Sequence, residues 1–364
     1  MKKLLTLLAG STLAFYMQGC SDNATSADDD TPLSKGSVYV YTSEWTAKSG
    51  ELRWIDEDGK LSKKSVEFYQ DSKIVGVDGN LFVLEGSGTD NLILVDPSTN
   101  EKKWEKSLED LANPKDVVKA NKDEVWVALE GVSNFIKVAV KDGKIVKTVK
   151  TDGFEVKKGQ SPHLVDFETR NDTLFGLFQR YTSTPSDDGY SKMDYSTPGL
   201  LAMYKLEDGS LLDTVQLVKN NPQVMGFAKG KLYVGSVGDY ATADMYGIEV
   251  VDLAKKKSSA VVDGKSLGGG VYAMAFDSKD GLAYVAVYEG WGKITLAEVD
   301  LNEKKVKAIK GVSNITGSLA YDEADGVLYI GNDDAVYTYE DDKLNKVESA
   351  VKDVLPPYNI TIVR

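Results

Sequence analysis

The residues best suited to recognition chemistry in this chain fall where its regular pattern is interrupted. Tyr181 and Tyr190 lie in the stretch Gln179 to Gly199, and Tyr240 and Tyr246 in Ser236 to Gly247. Tyr288 and Trp291 lie in Tyr288 to Lys293, and Trp45 in Ser43 to Gly50. Rings gathered from neighbouring loops make a platform for sugars, aromatic ligands or a protein partner; the competing expectation is that they pack the loops onto the body. Arg180, beside Tyr181, suits an anion contact or stacking on an aromatic ligand. The single histidine, His163, sits in Gln160-Ser161-Pro162-His163, just before an innermost strand and so near the mouth of a central channel.

Several chemistries find no support. One histidine and one cysteine cannot form a zinc or haem cluster. No Gly-x-Ser-x-Gly elbow is present, and Gly86-Ser87-Gly88 is not followed by a helix, so it is not a phosphate cradle. Asp187-Asp188-Gly189 with Asp194 offers carboxylates to calcium without the spacing of a calcium loop. The expectation is therefore no catalytic residue, no metal and no cofactor, with calcium the one candidate ion. A hydrolase using carboxylates alone stays open, because acids abound and no pair stands out.

The elements that must position these residues come from a repeated phrase, apolar–aromatic–apolar or Gly. It reads Val38-Tyr39-Val40, Leu81-Phe82-Val83, Val125-Trp126-Val127, Leu174-Phe175-Gly176, Leu232-Tyr233-Val234, Ala283-Tyr284-Val285 and Leu328-Tyr329-Ile330. Recurrence at roughly 40–50 residues marks a radial β-repeat of about four strands per unit. The second unit parses most cleanly, as Lys73 to Val77, an Asp78-Gly79 turn, Asn80 to Leu84, Asn91 to Val95 and Glu101 to Ser107. The first unit opens at its second strand, Gly36 to Tyr41, and Tyr358 to Val363 is a spare strand after the seventh unit. The fold class is all-β, a seven-bladed β-propeller of four-stranded antiparallel blades, closed by that C-terminal strand pairing in the first blade. In such a meander the connections between second and third strands, and those between blades, share one face. That face carries the unusual residues.

Ahead of the repeat, Lys2 and Lys3 precede an apolar run from Leu4 to Tyr16, too short to span a membrane and ordered like a secretory signal. Met17-Gln18-Gly19-Cys20 resembles a bacterial lipobox, which implies acylation of Cys20, the only cysteine. An exported chain with no second cysteine has no disulfide, so packing alone must hold the ring. The expected domains are a signal over 1–19, a lipidated cysteine and flexible acidic tether over 20–36, and the propeller over 37–364. Acidic residues close behind Cys20 resemble surface-export signals of some Gram-negative groups. With a net charge of −13 the surface repels phosphate backbones, so nucleic acid is not an expected partner.

Leu92-Ile93-Leu94-Val95-Asp96-Pro97-Ser98-Thr99-Asn100 and Leu328-Tyr329-Ile330-Gly331-Asn332 resemble the V-S-V-I-D-x-x-T-N and Y-V-T-N phrases of YncE-like propellers. The resemblance covers roughly residues 37–364 and implies an exported seven-bladed propeller without a settled reaction. The expected function is a monomeric, membrane-anchored binding lipoprotein of the cell envelope, at the outer membrane and periplasmic or surface-exposed. It would capture a siderophore-like or glycan-like ligand, or dock a partner such as an outer-membrane transporter, on its loop-rich face. Two alternatives stand beside it: a lactonase-like, lyase-like or quinoprotein enzyme working at the channel, and a structural envelope protein.

Overall fold

The computed structural model describes residues 37–44, 46–187 and 191–364. Trp45, Tyr190, Cys20 and the segments expected as signal and tether lie outside the described residues. Among the described residues no helix is long and apolar enough to cross a membrane.

Seven four-stranded antiparallel sheets form the ring. Blade 2 runs outward as Ser72–Val77, Asn80–Glu85, Asn91–Asp96 and Glu101–Ser107. The innermost strands of blades 3 to 7 are Pro114–Lys119, Leu164–Arg170, Pro222–Ala228, Gly270–Asp277 and Ile315–Asp322. Each neighbours the next around a central channel. The Asp78-Gly79 turn has φ of 50° and 73°, and Lys229-Gly230 has 45° and 75°. Both are the left-handed pair that a two-residue hairpin needs to match strand twist, which is why glycine stands second. Outer strands such as Glu101–Ser107 are largely exposed and charged, as a rim edge requires.

Each central aromatic of the repeated phrase is buried in the interface with the following blade. Phe82 packs with Val117, Val125 and Val127 of blade 3, and Trp126 with Leu164 and Phe167 of blade 4. Tyr233 meets Val271 and Val285 of blade 6, and Tyr329 meets Val38 and Ile360 of blade 1. The indole of Trp126 also donates to the Leu206 carbonyl at 2.8 Å, on the next blade's outer turn. Gly209 in that turn leaves room for the ring, since a Cβ there would fall 2.9 Å from it.

The ring closes through the C-terminal strand. Pro357–Val363 pairs antiparallel with Ser37–Thr42, with Ser37 opposite Val363 and Tyr39 opposite Thr361. Across the channel edge, Asn359 Oδ1 accepts from the Ile74 N–H at 2.7 Å and Thr361 Oγ1 from the Gly76 N–H at 2.9 Å. The final residue, Arg364, forms an ion pair with Asp322 of blade 7, and both side chains are buried.

Two local features differ from the sequence reading. The long connection in blade 4 is not one irregular loop, because Thr182–Pro185 and Ser191–Asp194 pair as a hairpin within it. Alternating Thr and Ser suit an isolated two-stranded ribbon, whose exposed faces hide its strand period from an apolar search. The second is a single helical turn, Gly264–Leu267, between blades 5 and 6. Its Asp263 side chain accepts from the Ser266 N–H, and it stops at Gly268 with φ of 87°.

Breaking the closing ion pair strands a buried charge. Arg364→Met, which keeps the aliphatic stem, is expected to lower stability by roughly 3–5 kcal/mol, read as a fall in urea midpoint. Pairing it with Asp322→Asn should recover most of the loss, and an unchanged midpoint for the single variant would show that closure does not depend on the pair.

Candidate functional site

The face bearing the longer connections carries a continuous run of rings around the channel mouth. In blade 4 the His163 imidazole stacks on Tyr181, with centroids 3.7 Å apart and planes 9° from parallel. Tyr181 meets Tyr195 at 5.2 Å, and Tyr195 meets Tyr240 of blade 5 at 5.8 Å. Tyr240 meets Tyr288 of blade 6 at 5.3 Å, and Tyr288 meets Tyr272 at 6.3 Å. Tyr272 reaches over blade 7, where a Cβ on Gly317 would come within 2.9 Å of its ring. Tyr358 of blade 1 continues the rim, its hydroxyl donating to Asp71 Oδ1 at 3.3 Å. Burial raises the Tyr240 phenol to about 12 and also raises Tyr181, Tyr195, Tyr272 and Tyr358, so these hydroxyls remain protonated donors at neutral pH.

Glu130 anchors the charged part of the rim. It accepts from the Tyr181 hydroxyl at 3.3 Å and the Asn113 amide at 2.7 Å, and pairs with Lys115 at 3.1 Å. His163 Nδ1 lies 3.9 Å from the same carboxylate, buried and without a hydrogen bond. Burial holds the imidazole below its ordinary range, with Glu130 opposing.

The backbone at this rim is a repeated corner. Asn113, Asn221 and Asn314 precede the innermost strands of blades 3, 5 and 7 with φ of 46°, 51° and 55°, and His163 takes the same place in blade 4 with 58°. Asparagine is favoured there because it tolerates left-handed φ; histidine adds a ring. Arg180 occupies the place of Gly131 and Gly238, each donating its N–H to the carbonyl two residues before the innermost strand. It holds φ of 59° there, and its Nε donates to the Phe154 carbonyl at 3.3 Å. The guanidinium is therefore tied to the loop below, and burial lowers its pKa.

Of the residues singled out from the sequence, His163, Tyr181, Tyr240 and Tyr288 come together. Tyr246 does not join them: its ring covers Gly264 of the single helical turn, where a Cβ would fall 2.2 Å away. Trp291 is 98% exposed at the tip of its loop. Of the acids considered for calcium, Asp188 lies outside the described residues, and Asp194 caps the Ser196 N–H at 2.9 Å. Among the described residues no group of three His, Cys, Asp or Glu side chains could hold a metal ion.

Three participants carried no usable signal. Tyr272 and Tyr358 lie inside strands, where the sequence reads as scaffold; only their channel-facing parity in an innermost strand marks them. Glu130 resembles any loop acid until the ring folds it against Tyr181.

Below the rim, Lys73, Asp116, Asp166 and Glu168 line a channel cavity of about 240 Å³. Asp116 Oδ2 accepts from the Phe167 N–H at 2.9 Å, and Asp166 Oδ2 from the Met225 N–H at 2.7 Å. Each carboxyl thus satisfies an otherwise unpaired donor on the next blade's inner edge, as Asn359 and Thr361 do. Burial, and then the neighbouring acids, push Asp166 and Glu168 well above the carboxylate range. Burial raises Asp116 too, against the pull of Lys73.

Fold and site together define a seven-bladed β-propeller with an aromatic channel mouth. No family model matches the chain, and no curated protein matches it. Solved structures do match in fold. Hydrazine synthase from Kuenenia stuttgartiensis aligns with a TM-score of 0.59 at 12% identity, covering 90% of this chain and 100% of that one. Apo AztD from Citrobacter koseri aligns with a TM-score of 0.55 at 10% identity, covering 90% and 98%. NirN, a dihydro-heme d1 dehydrogenase solved in complex with DHE, gives 0.55 at 14% identity, covering 89% and 74%. At these identities the likeness is one of fold, and the YncE-like phrases of blades 2 and 7 remain a resemblance.

The raised channel carboxyls make stability depend on pH with a definite sign. Asp166 and Glu168 keep their protons to higher pH in the folded ring than in the unfolded chain, where carboxyls ionise near pH 4. Their contribution is therefore fully present below about pH 4 and lost as pH rises toward their folded values. Asp166→Asn with Glu168→Gln should flatten the decline in melting temperature between about pH 5 and 8. An unchanged slope would mean that these acids are charged in the folded ring.

Proposed function

We propose that this chain is a propeller that binds a small ligand at the tyrosine-lined mouth, held at the cell envelope by a lipid on Cys20. The observation that carries the reading is the unbroken run of rings from His163 in blade 4 to Tyr272 in blade 6, at the mouth of a closed channel. Loop packing alone accounts poorly for it, because Tyr240, Tyr272 and Tyr358 keep 40%, 38% and 41% exposure. Rigid rings with donor hydroxyls contribute contact area at low entropic cost, as a binding face needs. A small ligand is favoured over a docked protein, since the rings converge on the channel while Trp291 stands apart. No reaction is assigned: Asp116 and Asp166 are engaged as acceptors for strand-edge donors.

A thermal-shift screen with oligosaccharides, catecholates and small amines tests the site. For any compound that binds, Tyr240→Ala and Tyr288→Ala should each weaken affinity by roughly tenfold, while Tyr246→Phe leaves it unchanged. Normal affinity in both alanine variants would move the site elsewhere. Anchoring is tested apart from this, by partition into a detergent phase: the full-length protein should enter it and Cys20→Ala should stay in the aqueous phase.

A further inference from the structure

We propose that the tyrosine mouth takes the head of an organic cation, an alkylammonium or quaternary ammonium group; this rests on the binding-face reading above. Ring orientation is the first ground. Tyr195 and Tyr240 stand 75° apart, and Tyr240 and Tyr288 stand 76° apart, in edge-to-face contacts, so successive ring planes meet near right angles. A flat sugar or catechol is matched by one broad coplanar surface. A compact, nearly spherical cation instead touches two perpendicular faces at once, each with its negative quadrupole toward the charge.

Charge is the second ground. Asp71 lies at the rim under the Tyr358 hydroxyl, and Glu130 faces Tyr181. Of the cations nearby, Lys115 pairs with Glu130 at 3.1 Å, and the Arg180 Nε donates to the Phe154 carbonyl at 3.3 Å. The whole chain carries −13. An ammonium group entering here gains from the ring faces and from the Asp71 carboxylate. Protonated phenols keep the ring faces polarised without adding a phenolate that would need its own counterion.

Isothermal titration of the full chain with choline, 3,3-dimethyl-1-butanol and methyl β-glucoside tests the proposal. The first two have the same shape and differ in charge. Choline should bind at least tenfold more tightly than the neutral alcohol and weaken as salt is raised. Tyr240→Leu and Tyr288→Leu should each reduce choline affinity about tenfold, and Tyr288→Phe should retain it, because the ring face and not the hydroxyl makes the contact. Matching melting temperatures establish that the variants fold. Equal affinity for choline and its neutral analogue would overturn the cationic assignment. Binding of the glucoside, lost in Tyr240→Leu, without binding of choline would overturn it while leaving the ligand-binding reading intact. Failure of every probe in this titration and in the wider screen would remove both.

Discussion

The ring depends on burying one aromatic side chain per blade against the blade that follows. Among the described residues there is no single central core. Seven separate apolar clusters lie between neighbouring sheets, each made from both. A blade by itself would leave both faces of a small twisted sheet in water, which is marginal for four strands. Each therefore owes its stability to two neighbours, and the last interface exists only because Pro357–Val363 completes blade 1. Burying a Trp or Phe of this kind is worth about 3–5 kcal/mol when truncated to Ala, so no one contact sustains the ring, but every interface must be present.

Closure removes the outer termini of the meander but leaves seven inner edges facing the channel. Their free N–H groups need acceptors, and the chain supplies polar side chains from the preceding blade: Asn359, Thr361, Asp116 and Asp166. Using carboxyls for this work buries acids close together, and burial first, then the neighbouring acids, raises the pKa of Asp166 and Glu168. The acid-lined interior beneath the tyrosine rim thus originates in a requirement of the scaffold.

Much of the architecture was legible because it repeats. The predicted second blade differs from the observed one by one residue at three strand ends and agrees at the other five, since apolar alternation, Asp78-Gly79 and the charged outer strand all point the same way. The spare C-terminal strand was equally readable from the missing first strand of blade 1. The hairpin inside the blade 4 connection was not, because its residues are mostly exposed and carry no apolar period. At the site, His163, Tyr181 and Tyr240 were readable from loop position, and Tyr288 was singled out with them although its strand, Leu282–Gly290, runs past it, whereas Tyr246 and Trp291 were also read as loop residues and go elsewhere.

The sequence by itself determined the ring: period, aromatic spacing and turn residues are local properties that each blade states again. Only the tertiary structure decided which rings become a surface. Tyr246 and Tyr240 are six positions apart in one loop, yet one covers Gly264 and the other joins rings from two other blades. Tyr272, Tyr358 and Glu130 reach the rim from strands and loops remote in sequence. A site at the axis of a propeller is built from side chains of different blades. Their meeting depends on ring closure and blade rotation, which no single stretch of residues encodes.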